Sequence, residues 1–270
     1  MYNDVFKNKK IQKRIQKVSS RKLDSFNWFF PYLVLPWHPK TAKASWTFIN
    51  TVFKNFVLLQ FLEKWKFYKI PVVNVQVPLD DKIPFTPSKV VIYMHFVNFW
   101  LSPITMLFRR FGISKALPFA KEFLIYITKV YAEAAKIYRF RLSTTNRPIY
   151  KGNARFKTIH NLDPHFLCVP SLHVAIVVLC FSFFKMLFDR ENFTEEEKAK
   201  WNKELYEGAV TITESVLFVK QHSVNCIPSA VYMMTQITDL LSREDGTIFL
   251  GRLFENSPEI PQADRNEVVA

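Results

Sequence analysis

Nineteen consecutive residues, Val90–Phe108, contain no Asp, Glu, Lys or Arg, and Arg109 and Arg110 close the run. A helix of that length approaches the thickness of a bilayer's hydrocarbon core. Pro164–Phe184 is uncharged apart from its histidines and ends at Lys185, and Gln221–Thr238 is a third such stretch. Ser45–Leu62, which contains Lys54, and Ile113–Tyr138 are weaker candidates. In the latter, Glu122, Lys129, Glu133 and Lys136 recur at one helical face, which reads as interhelical pairing. Strand alternation is scarce, except around Val72–Val77, and the 5 glycines are too few for many hairpins.

These patterns predict an all-α fold, a polytopic membrane helical bundle of about six helices. The predicted helices are 45–62, 90–108, 115–138, 170–187, 206–221 and 222–241. Three regions follow: a basic cytoplasmic N-terminal segment (1–25), a membrane-embedded helical domain (26–241) and a polar, mobile C-terminal tail (242–270).

Charge narrows the function classes. Lys and Arg total 37 against 23 Asp and Glu, a formal +14, which favours nucleic acid or an anionic membrane surface as partner. Residues 1–22 hold eight Lys or Arg and one Asp, and FNWFFPYLVLPW (26–37) follows directly. Basic residues ahead of an aromatic apolar run describe a cytoplasmic flank and a bilayer interface. A nucleic-acid partner is not expected, because such a protein has no use for the uncharged stretches. The 27 Phe and 49% apolar content exclude disorder, and the shortage of Gly argues against a glycine-rich phosphate loop. Cys168, Cys180 and Cys226 form no C-x-x-C pair, so neither a disulfide framework nor a zinc ribbon is expected.

With the N-terminus cytoplasmic, the loops 109–114 and 188–205 fall inside. The segments 63–89 and 139–169 and the 221/222 junction fall outside, and both termini are cytoplasmic. The 139–169 loop breaks the positive-inside pattern with Arg139, Arg141, Arg147, Lys151, Arg155 and Lys157. An anionic ligand at the outer face would account for it. Arg147, His173 and His222 all fall at the outer ends of helices. Two histidines and several cations beside apolar walls suit phosphoryl transfer, which needs a nucleophile, an acid for the leaving group, and positive charge around the phosphate. His160, Asp163 and His165 share a loop, but without a wider ligand pattern they do not make a metal site.

The motifs PSLH (170–173) and Ser215-x4-Lys220-Gln221-His222, with Arg147-Pro148 upstream and VPLDDKIPFTP (77–87) ahead of a span, resemble a known family. It is the type-2 phosphatidic acid phosphatase / vanadium haloperoxidase superfamily, in its inositol-phosphorylceramide-synthase-like branch. The likeness covers residues 70–240. It implies a lipid phosphate substrate, a phosphohistidine intermediate, and no metal or other cofactor. By resemblance, His222 is the nucleophile and His173 the acid–base. Arg147, Lys220 and one of Arg139 and Arg141 hold the phosphate, and Ser171 adds a hydrogen bond. Two positions depart from the pattern. Phe140 stands where the basic residue of the first motif belongs, and Cys226 stands where an Asp supports the nucleophile. Those departures keep a second reading open, a catalytically impaired relative that serves as a lipid-binding or scaffold protein. Nothing in the sequence bears on oligomeric state.

Overall fold

The structure is a computed structural model and describes residues 9–269; residues 1–8 of the expected basic segment, and Ala270, lie outside the described residues. The chain begins with α1 (Lys9–Ser19) and α2 (Phe30–Val34). Then α3 (Ala42–Val52), a π-helical segment (Phe53–Leu58) and α4 (Leu59–Lys64) run on as one rod. A short strand β1 (Val72–Asn74) leads to α5 (Val90–Met94), α6 (Phe96–Phe111) and the longest helix, α7 (Ile113–Phe140). After β2 (Leu142–Thr144) come α8 (Ala154–Leu162), α9 (Leu172–Arg190), α10 (Glu195–Phe218), α11 (Cys226–Ile237), α12 (Arg243–Gly251) and α13 (Gln262–Val269). The fold is thus mainly α-helical. The strand suspected near Val72 forms, pairing in parallel with β2 through Val72↔Leu142.

Helix α9 is the axis of the bundle. Ten residues in a row, Val174–Phe183, are buried, and α6, α7, α10 and α11 pack around them. A helix that is apolar on every side belongs where it has neighbours on every side. Helix α10 has the opposite character. Trp201, Leu205, Ala209, Ile212 and Val216 form its buried stripe, while Glu195, Glu196, Lys203 and Glu207 are exposed. Its start is set by a capping box, in which Thr194 Oγ1 accepts from Glu197 N and the Glu197 carboxylate accepts from Thr194 N.

Two helical stretches are long and apolar enough to cross a bilayer, Pro87–Phe111 and Leu172–Arg190. The other predicted spans exist as helices but are weaker as spans. Helix α11 has 12 residues, about 18 Å, which is short of the hydrocarbon thickness. Helix α7 is long enough but exposes Lys115, Lys121, Lys129 and Lys136 along its length.

Two expectations are corrected. Arg110 is not a solvated flank residue. It is 2% exposed and ion-paired with Glu197, itself 5% exposed; Ser19 donates to the same carboxylate and Arg110 Nη2 donates to Asn192 O. Secondly, residues 242–269 are not a loose tail. Phe249 stacks on Phe181 with ring centroids 5.5 Å apart, Glu214 accepts from Phe254 N, and Lys82 pairs with Asp264 and Glu267. Buried Phe249, Leu253, Phe254 and Ile260 supply the apolar area that a polar average composition hides.

The buried Arg110–Glu197 pair generates a prediction. Glu197→Gln leaves a guanidinium unpaired, and breaking a buried pair in this way costs about 3 kcal/mol or more. Arg110→Met combined with Glu197→Leu removes both charges and is expected to cost less. Thermal unfolding of the three proteins checks the order.

Candidate active site

The end of α10 determines where the Lys220-Gln221-His222 motif goes. Lys220 adopts the left-handed conformation, φ 53°. Gln221 N donates to Val216 O and Lys220 N to Leu217 O, the paired bonds of a Schellman cap. A lysine is strained at a position that suits glycine. Here its ammonium is anchored on the carbonyls of Asp80 and Ile83, which holds it there. The chain then reverses, and His222 folds back over the start of α9.

That start is built by Pro170-Ser171-Leu172-His173. Ser171 Oγ caps α9 by accepting from Val174 N at 3.4 Å, and Ser171 N donates to Cys226 O. His173 lies in the first turn, its ring packed against Tyr93 at 4.7 Å and Phe96 at 4.6 Å. The His173 and His222 rings meet edge to face, centroids 5.8 Å apart. Two segments about fifty residues apart in sequence thus bring both histidines into one cavity. His222 Nδ1 bonds Cys168 O at 3.1 Å. A carbonyl only accepts, so Nδ1 carries the proton and Nε2 keeps its lone pair.

Arg147 reaches the same place. Its Nη1 donates to Gln221 Oε1 at 3.0 Å and its Nη2 to Asp163 O at 3.1 Å. Gln221 and Asp163 line the cavity with both histidines, Phe56 and His165. His165 went unselected as a catalytic candidate, yet it is 6% exposed, with Nε2 within 2.8 Å of Thr145 Oγ1. Burial, with Arg147 nearby, pushes its pKa down to about 2. Burial also lowers that of His222, to about 4, against the opposing pull of the Cys168 carbonyl. The cavity is about 20 Å³, room for about one water.

The other expected phosphate ligands lie elsewhere. Lys220 is committed to the Asp80 and Ile83 carbonyls. Arg139 is exposed and donates to Asn55, because the last turn of α7 points it outward. Arg141, just past that helix, is exposed beside Phe140. Ser171 Oγ accepts the cap bond from Val174 N, and Ser171 is not among the residues that line the cavity. Cys226 does not support His222. The two are not on one helix, since α11 begins at Cys226 and Pro228 occupies its first turn, and the Cys226 sulfur accepts from Ser223 N.

The sequence reading assigns no role to Asp80, which it includes only within VPLDDKIPFTP. Its side chain is buried, 3% exposed. Oδ2 accepts from Ser223 Oγ at 2.7 Å and Val77 N at 2.8 Å, and Oδ1 accepts from Val224 N at 2.7 Å. Asp80 therefore clamps the segment that carries His222. Spacing alone gives no sign of this, because Asp80 and Ser223 are 143 residues apart.

No protein-family model matches the chain, and no curated protein or solved structure is significantly similar to it.

Two predictions follow from this geometry. Asp80→Ala strands three donors and is expected to cost about 2 kcal/mol or more, whereas Cys226→Ser is mild. Cys226→Asp places a second carboxylate beside Asp80 and is expected to destabilise; denaturant unfolding of the three variants checks this. The second concerns pH. An unfolded histidine titrates near 6.5, and His222 and His165 titrate lower when folded. Below pH 6.5 the unfolded chain therefore binds more protons, and stability falls as pH falls. The slope is up to about 1.4 kcal/mol per pH unit for each histidine, and His222's share levels off below pH 4. Unfolding midpoints between pH 7 and 4 measure it.

Proposed function

We propose that the chain is a membrane lipid phosphatase, or a transferase of a phosphate-linked head group, working through a phosphohistidine. The observation that carries this reading is the His173–His222 pair, rings 5.8 Å apart, with Nε2 of His222 unprotonated beside Arg147's hydrogen-bonding partners. The likeness of PSLH, KQH and the Arg-Pro pair to the phosphatase superfamily supports it. The two stretches long and apolar enough to cross a bilayer, Pro87–Phe111 and Leu172–Arg190, are compatible with it, and the reading puts the active site on the extracytoplasmic side and the termini in the cytoplasm.

In this proposal the Nε2 lone pair of His222 attacks phosphorus, and the bond from phosphorus to the leaving alcohol oxygen breaks. His173 gives that oxygen a proton. Arg147 balances charge on the non-bridging oxygens. His173 then takes a proton from water or an acceptor alcohol, whose oxygen attacks phosphorus and frees His222. The protein's own side chains supply every charge, so no metal is invoked. A cavity of about 20 Å³ is too small for a phosphoryl group, so turnover requires a wall to move. Phe56, on the π-helical segment, is one apolar wall outside the motifs, with Leu167 and Cys168.

A second reading is favoured by a specific observation: none of Lys220, Arg139, Arg141 and Arg147 lines the cavity, and Arg147 alone bonds residues that do, Gln221 and Asp163. On that reading the chain is a catalytically impaired relative that binds lipid or acts as a scaffold.

Phosphate release from a lipid phosphate by the purified protein separates the two, with acceptor alcohol present and absent. Expected outcomes are loss of turnover in His222→Ala, and a loss of about 10²–10⁴-fold in His173→Ala on the lipid. With nitrophenyl phosphate, whose leaving group needs little protonation, the His173→Ala loss shrinks. Equal losses on both substrates contradict the assigned roles, and no release by wild type supports the second reading. The protein is also expected to stay with membranes through carbonate washing, and release by carbonate removes the integral assignment.

A further inference from the structure

A groove of about 510 Å³ runs between the first turns of α3 and the N-terminal half of α7. It lies far from the histidines. Tyr138, near the end of α7, donates to the Pro170 carbonyl ahead of His173, and Lys121 lies seventeen residues earlier on the same helix, about 25 Å along its axis. Lys40, Lys43 and Lys121 line one part of it; Leu124, Ile125 and Ala44 give it an apolar wall.

The three lysines are exposed, and none has a carboxylate within ion-pair distance among the described residues. Glu122, next on α7, is taken by Arg190. Three like charges around one groove repel one another and call for an anion. The anion also meets the positive N-terminal end of α3, which starts at Ala42. The wall calls for something else. Ile125 is 55% exposed, and Leu124 beside it lines the groove. A free anion has no use for such a wall, and a bare hydrocarbon has no use for three ammonium groups. Beside the lysines sit Trp37 and Trp46, 71% and 49% exposed, rings 5.8 Å apart, with Trp46 Nε1 donating to Pro36 O. Exposed Trp and Lys at one level are what a protein presents to lipid headgroups.

We propose that this groove binds one anionic phospholipid, its phosphate held by Lys40, Lys43 and Lys121 and an acyl chain laid on Ile125. The site is separate from the histidine cavity, and its occupancy does not depend on phosphoryl chemistry.

The test is a titration of the full-length purified protein with dioctanoyl phosphatidic acid, read by the emission of Trp46 and repeated in Trp46→Phe to assign the signal. Dioctanoyl phosphatidylcholine is expected to bind at least about tenfold more weakly. The triple variant Lys40→Glu/Lys43→Glu/Lys121→Glu is expected to lose about 100-fold in affinity. Lys203→Glu on α10 should match wild type. Ile125→Glu should lower affinity for the dioctanoyl lipid to that for glycerol phosphate. Circular dichroism confirms that each variant folds. Equal binding by the triple variant and wild type overturns the proposal. Competition by inorganic phosphate at equal concentration also overturns it, since the groove is then a free-anion site. Binding lost in Arg147→Gln but kept in the triple variant places the lipid at the histidines and equally defeats it.

Discussion

Three hydrogen-bond donors converge on the Asp80 carboxylate, and the shape of the candidate active site follows from that convergence. A buried carboxylate is expensive unless its lone pairs are matched. Its donors come from Val77 in its own turn and from Ser223 and Val224 beyond α10. Matching them fixes the reversal of the chain after Lys220. The same loop also supplies the Asp80 and Ile83 carbonyls that hold the Lys220 ammonium, and Thr86 N donates to Phe218 O at the helix end. With the reversal fixed, His222 has one place to go, over the N-terminus of α9 and against His173. Ser171 N on Cys226 O ties that helix start to the far side of the same loop.

Much of the fold was legible because periodicity reports burial. The run Leu172–Phe184 has no polar face, and it forms the axis of the bundle. The stretch near Val72 alternates, and it pairs. What composition obscured was burial of polar sequence. Residues 242–270 look solvated on average, yet Phe249 and Phe254 anchor them. Arg110 reads as a flank from its position after an apolar run, and only the partner Glu197, far away in sequence, shows that it is inside. The two histidines and Arg147 were readable as candidates from motif spacing. The positions of Lys220 and Cys226 were not, because the predicted helices 206–221 and 222–241 run through both, where a left-handed residue and a new helix start intervene.

The same distinction bears on the membrane. An apolar helix surrounded by other helices needs no lipid to explain it, and α9 is of this kind. The exposed apolar surface lies elsewhere, concentrated in Trp28–Tyr68 and including Trp37, Trp46, Phe53, Trp65 and Phe67. In that segment Glu63 is the one carboxylate against five lysines, and it is buried. An aromatic surface edged with lysine is adapted to a headgroup layer more than to the middle of a bilayer. Lys54, exposed midway along the rod from α3 to α4, fits the same description.

The bond from His222 Nδ1 to the Cys168 carbonyl has a chemical consequence that a carboxylate partner would not have. Either acceptor fixes the ring and leaves Nε2 free to attack. A carboxylate also carries a full charge, which stabilises the imidazolium-like ring that forms when Nε2 bonds to phosphorus; a carbonyl offers only a dipole. Burial keeps the ring neutral to low pH, and on the proposed mechanism the charged intermediate gains less from a carbonyl than from a carboxylate. Arg147, already bonded to Gln221 and the Asp163 carbonyl, adds positive charge nearby and raises the cost of a second cation. That balance is relieved only when a phosphate dianion enters, since its charge offsets both the guanidinium and the developing imidazolium. On the proposed mechanism an anionic ligand, and not a neighbouring carboxylate, supplies the compensating charge.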